Sequence, residues 1–141
     1  MIRDYRAADI DQILEIWLSA SVKAHNFIDP EFWKSKIGMM RDVYIPASET
    51  LVCEAEGEVV GFYSLYENNL AAIFVKPGSQ GKGLGSALIY DAKNRREKIQ
   101  LTVYKDNIPS IKFYEKHGFN LLGERIDEHT GHPEFIMGYH S

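Results

Sequence analysis

A glycine-rich segment, GSQGKGLGS at residues 78–86, has the composition of a phosphate-binding turn. It follows a continuous apolar run, residues 70–75, which is typical of a strand buried on both faces. It precedes ALIYDAKNRR, which has the apolar spacing of a helix. Glycines between a strand and a helix leave several main-chain N–H groups unpaired at the positive end of the helix dipole. The segment therefore predicts a site for a phosphate or a pyrophosphate.

The spacing within this segment distinguishes between the known kinds of phosphate loop. Its lysine is followed by glycine, so the magnesium-binding hydroxyl of a Walker loop is missing, and its G-x-G-x-G differs from the G-x-G-x-x-G of dinucleotide-binding turns. The pattern present is Q-x-x-G-x-G at Gln80, Gly83 and Gly85, behind Val75 and Pro77. It resembles the pyrophosphate loop of the GNAT superfamily, the acyl-CoA-dependent N-acetyltransferases. The alternative is a glycine-rich helix entry without a ligand.

A second motif, NIPSIKFYEKHGF at residues 107–119, is similar to the N-x-x-A-x-x-F-Y-x-K-x-G-F pattern of the same superfamily. Ser110 stands where the family has alanine. The matching positions are Asn107, Phe113, Tyr114, Lys116, Gly118 and Phe119. The resemblance extends over about residues 48–119. It implies an enzyme in which a primary amine attacks the thioester of acetyl-CoA directly.

The resemblance also implies which residues hold acetyl-CoA and which one assists the leaving group. Main-chain N–H groups of the glycine-rich turn would bind the pyrophosphate, and Lys82 would either add charge or face solvent. The preceding strand would splay from its neighbour and pair with the pantetheine amides, with Asn107 facing the cofactor or capping its own helix. Tyr114 would protonate the departing thiolate. The residues implied for the cofactor are Ile73, Phe74, Val75, Gln80, Gly81, Lys82, Gly83, Leu84, Gly85, Ser86, Asn107 and Tyr114.

The group that removes the proton from the acceptor amine is less defined. Some members of the superfamily have a glutamate at the head of the central strand, and this chain has Asn69 there, which cannot accept a proton. Glu67 would share a face with that position if the strand extended so far, and His25 lies in a segment that usually lines the acceptor pocket. Either of the two could instead be a surface residue, and a water chain needs neither of them.

Hydrophobic periodicity predicts the element order β-α-α-β-β-β-α-β-α-β-β, which is also that of the superfamily. The expected fold class is α/β (α+β), a mixed, largely antiparallel sheet of six to seven strands with helices on both faces. A single N-acetyltransferase domain would span residues 1–141. Asp9, with Gln12 three residues on, is predicted to cap the first helix, and Asp29 to cap a helix that starts at Pro30 and closes at Pro46. The predicted strands are 1–6, 49–54, 58–66, 70–75, 99–103, 120–126 and 135–139.

Composition excludes several function classes. With 16 basic and 20 acidic residues, the chain lacks the positive charge of a nucleic-acid-binding protein. Cys53 is the only cysteine, which excludes an internal disulfide and suits a reducing cytoplasm. No signal peptide opens the chain, and no apolar run approaches the roughly 18 residues of a membrane span, so we expect a cytoplasmic protein. His129 and His132 have no third ligand at a recognisable spacing, so no metal is expected.

The acceptor and the assembly state stay open in the sequence. Protein lysines, protein N-termini, polyamines, aminoglycosides and amino acids are all candidate acceptors, with a protein acceptor favoured by analogy with small members of the superfamily. The chain would act as a monomer or a homodimer.

Two other functions compete with acetyl transfer. One is a non-catalytic regulatory module that binds acyl-CoA, which the asparagine at position 69 favours. The other is nucleotide or phosphate binding, which the glycine spacing disfavours.

Overall fold

The computed structural model describes residues 1–141 and arranges their apolar segments in one seven-stranded sheet. The strands are β1 (Ile2–Asp4), β2 (Glu49–Ala55), β3 (Glu58–Tyr66), β4 (Asn69–Val75), β5 (Lys98–Tyr104), β6 (Asn120–Ile126) and β7 (Pro133–His140). They lie in the order β1-β2-β3-β4-β5-β7-β6. Every neighbouring pair is antiparallel except β4 and β5, which are parallel. The predicted mixed, largely antiparallel sheet is confirmed.

Six α-helices accompany the sheet. They are α1 (Ile10–Ala24), α2 (Pro30–Ser35), α3 (Ile37–Met39), α4 (Ile45–Ala47), α5 (Leu84–Lys93) and α6 (Ile108–Lys116). A π-helical turn, Met40–Tyr44, joins α3 to α4, and short 3₁₀ turns precede α1 and follow β4. No helix is both long enough and apolar enough to cross a membrane.

The sheet carries a hydrophobic core on each face, as predicted. One core packs α1 and the α2–α4 region against the sheet, around Ile13, Trp17 and Phe62. The other packs α5 and the end of α6 against the opposite face, around Leu88 and Phe119. Because both faces are covered, β3 is buried along seven of its nine residues. Strand β4 differs from the expectation. Its apolar run at residues 70–75 predicts burial on both faces, but the second half of the strand is only partly buried.

The exposure of β4 follows from its divergence from β5. The two strands share a single residue pair, Asn69 with Gln100, and separate from there toward their carboxyl ends. Beyond that pair β5 is held by β7 along its whole length, while β4 is held by β3. The splay implied by the resemblance is therefore confirmed. It opens a gap in the sheet where one side of β4 has no strand partner.

Two local predictions about the first helices are wrong. Asp9 does not cap α1, because its buried carboxylate accepts hydrogen bonds from the Arg3 guanidinium at 2.8 and 3.0 Å and from the Arg6 N–H at 2.8 Å. The Gln12 side chain instead accepts from the Val59 N–H on β3, at 3.0 Å. The Asp9 carboxylate thus binds an arginine of β1 and not the N–H groups at the start of α1.

The region from Pro30 to Ala47 begins as predicted but does not continue as one helix. Asp29 caps α2 by accepting from the Glu31 N–H at 2.9 Å, as expected. The helix is then interrupted at Lys36, near Gly38, and again by the π-helical turn. Glycine weakens a helix interior, and a π turn shifts the side chains that follow it around the axis. Met40 and Ile45 are thereby both buried against the sheet.

Candidate functional site

A cleft of about 890 Å³ occupies the gap between β4 and β5. Its walls come from both faces of the sheet: the end of α1, the glycine-rich turn, the start of α5 and the inner side of α6. At its closed end the two strands come together, and at its open end it meets the β6–β7 hairpin. Every residue implied for the cofactor lines the cleft except Lys82, which is exposed outside it.

The glycine-rich turn presents main-chain donors to the cleft. Gly81 and Gly83 have φ of 79° and 81°, in the left-handed region that glycine adopts without strain. Gly83 is the N-cap of α5, and no side chain caps that helix. The N–H groups of Leu84, Gly85 and Ser86 therefore have no acceptor within the helix, since the first turn of any helix leaves its donors free. The turn has the geometry of an anion site at a helix N-terminus.

Gln80 connects the turn to its surroundings. Its amide nitrogen donates to the Val75 carbonyl at 3.1 Å, and its amide oxygen accepts from the Lys23 ammonium at 3.2 Å. The glutamine thus holds the loop against the end of β4. Lys23 on α1 lines the cleft, whereas Lys82 does not. The lysine that lines the cleft beside this turn is consequently one that sequence spacing did not identify, because it lies far away along the chain.

Gly85 is required for packing rather than for backbone conformation. A Cβ at this position would lie 3.3 Å from Cε1 of Phe113 on α6. The close approach sets the start of α5 against α6, so that the free N–H groups and the tyrosine next to Phe113 face the same cleft.

Tyr114 lines the cleft from α6, packed beside Phe113 and Phe119 with ring centroids 5.5 and 5.7 Å away. No group of the chain hydrogen-bonds to its hydroxyl. Burial raises the pKa of this phenol above its usual value. The hydroxyl is therefore protonated at neutral pH and free to donate to a ligand in the cleft.

His25 and Asn107 join the two walls of the cleft. The His25 Nδ1 lies 2.8 Å from the Ser21 carbonyl, which only accepts, so this nitrogen carries the proton. Nε2 is then an acceptor, and the Asn107 amide donates to it at 3.2 Å. The Asn107 oxygen in turn caps α6 through the Ser110 N–H at 3.4 Å. Burial lowers the pKa of His25, so the imidazole is neutral with its one free lone pair already engaged.

A β-bulge in β4 is a feature that the sequence did not reveal. Ser64 pairs with Ala72 and Leu65 pairs with Leu70, which leaves Ala71 without a partner on β3. Ala71 is exposed and lines the cleft near its closed end. A bulge frees main-chain groups from the ladder, so β4 presents polar atoms to the cleft here. Alanines in an apolar run carry no signal for such an irregularity.

Glu67 lies outside the cleft. It occupies the β3–β4 turn with φ of 54°, and its carbonyl accepts from the Arg96 side chain at 2.8 Å. Strand β4 begins only at Asn69, so the extension that would have put Glu67 on the same face does not form. The structure does not bring Glu67 together with the other predicted site residues.

The open end of the cleft is lined by charged and aromatic side chains from β5 and the β6–β7 hairpin. The Tyr104 hydroxyl donates to the Asp127 carboxylate, and the Arg125 Nε donates to buried Glu134 at 2.7 Å. Burial raises the pKa of Asp127, but hydrogen bonds from Tyr104, His129 and Thr130 outweigh it and hold that pKa below its usual range. The sequence places residues 125–135 among the segments expected to form the acceptor pocket, but it singles out none of these groups as a site residue.

Comparisons with known proteins agree with this geometry. A family model described as "Acetyltransferase (GNAT) family" matches residues 10–119. The peptidyl-lysine N-acetyltransferase YiaC of Escherichia coli K12 is 34% identical over 140 residues, covering 99% of this chain and 96% of that protein. The solution structure of apo-form YjaB from Escherichia coli matches 99% of this chain and 96% of its own, with 25% identity and a TM-score of 0.86. A PaiA N-acetyltransferase from Thermoplasma acidophilum, crystallised with coenzyme A, matches 100% of this chain and 98% of its own, with 21% identity and a TM-score of 0.81.

Proposed function

Because this chain belongs to the GNAT family and is an acetyl-CoA-dependent N-acetyltransferase, we propose that it acetylates lysine side chains of proteins. The whole chain, residues 1–141, acts as one catalytic domain. The lysine amine attacks the thioester carbonyl directly, the C–N bond forms as the C–S bond breaks, and coenzyme A leaves as its thiol. The observation that carries this mechanism is the protonated, unpartnered hydroxyl of Tyr114 inside the cleft.

Acetyl-CoA would lie along the cleft from the glycine-rich turn toward the closed end. The free N–H groups of residues 81–86 bind the pyrophosphate, and Lys23 adds positive charge beside them. The main chain of Ile73, Phe74 and Val75, which faces the gap left by β5, pairs with the pantetheine amides as an added strand would. The thioester then arrives at the bulge around Ala71, where a free main-chain donor stabilises the developing oxyanion.

Tyr114 acts as the general acid. A thiolate leaving group and a phenol have comparable basicity, so a hydrogen bond from this hydroxyl stabilises the thiolate as it forms. Since the pKa of Tyr114 is raised, it stays protonated through the whole pH range in which amines are acetylated. Activity should therefore show no alkaline loss from this residue below about pH 10.

The acceptor ammonium has a pKa of about 10.4 and must lose its proton before it attacks. His25 is unsuited to this task because its free lone pair accepts from Asn107, and Glu67 is unsuited because it lies outside the cleft. Water at the open end of the cleft, in contact with the Asp127 carboxylate, carries the proton to solvent instead. Catalysis then needs no dedicated side-chain base.

A protein lysine as acceptor is supported by two observations. YiaC, which is similar along almost the whole chain, is a peptidyl-lysine N-acetyltransferase. The open end of the cleft contains two carboxylates, Asp127 and Glu134, against one cation, Arg125, which is already paired with Glu134. This excess of negative charge attracts an alkylammonium and disfavours acceptors that carry their own carboxylate, such as free amino acids.

The decisive experiment is Tyr114→Phe with release of free thiol from acetyl-CoA as the readout. We expect turnover on a lysine peptide to fall by about 100-fold or more. The dissociation constant for coenzyme A should stay within about two-fold, because the lost hydroxyl is needed only when the thiolate forms. The control is Tyr139→Phe, a tyrosine that packs on Phe119 outside the cleft and should leave turnover unchanged.

Acceptor choice is tested with lysine peptides, N-terminal amines, polyamines, aminoglycosides and amino acids side by side. We expect the highest kcat/KM on internal lysines. Equal turnover of Tyr114→Phe and the unaltered enzyme would remove the general-acid role, and a preference for free amino acids would overturn the proposed acceptor.

A further inference from the structure

A second cavity of about 520 Å³ lies over the ends of β3 and β4, on the sheet face that the α2–α4 region covers. Its walls are the segment formed by α3, the π-helical turn and α4, together with the ends of β3 and β4 that meet at their turn. Apolar side chains make up most of the lining, including Met40, Val43, Ile45 and the ring of Tyr66. Its polar lining consists of four hydroxyl side chains and the amide of Asn69, and the most buried of these groups, the Ser64 hydroxyl, is already paired with Thr50 at 2.8 Å.

The second cavity and the main cleft meet at two small residues. Ala71 and Ala72 line both spaces, and Ala71 is the unpaired residue of the β4 bulge. The main cleft ends just beyond this point, because β4 and β5 come together at Asn69 and Gln100. A ligand that enters along β4 from the glycine-rich turn therefore cannot continue between the strands. The space nearest to it beyond the bulge is the second cavity, which shares Ala71 and Ala72 with the cleft.

We propose that this cavity is an acyl-chain pocket, so that the enzyme transfers straight-chain acyl groups longer than acetyl. The inference rests on the proposed function, which brings the thioester to the bulge at Ala71. From there the alkyl tail of a butyryl or hexanoyl group passes Ala72 and lies against Met40 and Ile45. The acceptor approaches from the opposite, carboxylate-lined end of the cleft, and an apolar cavity would repel its ammonium.

The chemistry of the longer donor is unchanged. The amine nitrogen bonds to the acyl carbon, the carbon–sulfur bond breaks, and the thiolate takes a proton from Tyr114. The ammonium loses one proton to water before it attacks. The second proton, which leaves the nitrogen as the amide forms, replaces the one that Tyr114 gave up, so the products are an amide and free coenzyme A. The gain from the cavity is binding energy for the alkyl tail, worth about four-fold in kcat/KM for each methylene that is fully buried. That gain offsets the steric penalty that longer donors meet in enzymes without such a pocket.

The experiment compares acetyl-, butyryl- and hexanoyl-CoA with one lysine peptide, measuring kcat/KM for each. We expect the two longer donors to be used within about ten-fold of acetyl-CoA. In Val43→Trp the indole fills the cavity from its mouth, and kcat/KM for hexanoyl-CoA should fall at least ten-fold while that for acetyl-CoA changes less than two-fold. Ala47→Leu, a smaller filling change on the same lining, should give the same trend with a lesser loss.

Met39→Trp is the matched control, because Met39 and Val43 are similarly exposed, at 45% and 44%, and only Val43 lines the cavity. It should leave all three donors unchanged. Hexanoyl transfer more than a thousand-fold slower than acetyl transfer would overturn the proposal while leaving acetyl transfer intact. The proposal would also be overturned if Val43→Trp changed only the KM of the peptide, because that result would assign the cavity to the acceptor. Absence of transfer from acetyl-CoA itself would instead refute the proposed function.

Discussion

The cleft has two recognition regions, the glycine-rich turn at the cofactor end and the side chains beside the β6–β7 hairpin at the acceptor end, and they are built in different ways. The glycine-rich turn, which we propose receives the cofactor pyrophosphate, uses main-chain groups from one short stretch, residues 80–86, held in place by a single glutamine. The end that faces the hairpin uses side chains of His25, Trp33, Tyr104, Asp127 and Glu134, which come from separate helices and strands. The main-chain groups of the turn come from consecutive residues and need glycines at fixed spacing, so this kind of binding site is visible in the sequence as a motif. Side chains that come together from separate elements are far apart in the sequence, so they leave no such motif.

The largest effect in this comparison should come from the cofactor end, at Gly83. In Gly83→Ala the new Cβ meets no atom within 4 Å, so the cost arises only from the left-handed φ of 81°. A strain of about 1–3 kcal/mol would shift the turn and misplace its donors. We expect the dissociation constant for coenzyme A, measured by calorimetry, to rise about 10- to 100-fold.

The matched change for this test is Gly78→Ala, in the same loop, where the added Cβ also meets open space but φ is not in the left-handed region. It should bind coenzyme A as well as the unaltered protein does. Equal affinities of the two variants would show that the conformation of Gly83 does not matter for binding.

The next effect should come from His25, which with Asn107 joins the two walls of the cleft. His25→Ala leaves the buried Asn107 amide without an acceptor, which costs about 1–3 kcal/mol of unfolding free energy and loosens the N-terminus of α6. In His25→Gln the side-chain oxygen can accept from Asn107 in place of Nε2. We expect glutamine to restore most of the stability, by chemical denaturation, and most of kcat. A general base at this position would give the opposite result, with both variants equally inactive.

A smaller effect should come from Asp127, at the acceptor end. Asp127→Asn removes one of the two carboxylates that attract the ammonium, in a partly exposed site where such a contact is worth about 1 kcal/mol. We expect the KM for a lysine peptide to rise about five-fold, less at high salt, with affinity for coenzyme A unchanged. Glu128→Gln makes the same charge change on the neighbouring exposed residue outside the cleft. If it raises KM equally, the hairpin acts only through its net charge.

The smallest effect should be the contribution of Asp127 to acid stability. Its pKa is lower in the folded chain than in the unfolded chain, so the carboxylate stabilises the fold above its unfolded pKa. That contribution is lost as the pH falls through the lower, folded value. Unfolding free energy measured from pH 7 down to pH 3 should therefore decline less steeply in Asp127→Asn than in the unaltered protein, by less than about 1 kcal/mol. Identical declines would mean that the bond from Tyr104 does not persist in solution.

Most of the fold was predictable because its elements are signalled locally. Alternating or continuous apolar residues marked all seven strands within a few positions, and Asp29 with Pro30 marked the start of α2. The cap predicted at Asp9 failed because Arg3 binds that carboxylate from β1. The helix predicted up to Pro46 failed because the π-helical turn brings both Met40 and Ile45 into the core. Both failures involve contacts with a different element, which local patterns do not contain.

The amino-acid sequence by itself determined the family, the glycine-rich turn and the position of Tyr114 on its helix, since these depend on residue types at short spacing. Only the tertiary structure decided that β5 leaves β4 after one pair, that Ala71 bulges, and that Lys23 rather than Lys82 lines the cleft. It also decided that the free lone pair of the His25 imidazole accepts a hydrogen bond from Asn107. Those features depend on which distant segments meet, and that is set by packing on the two faces of the sheet.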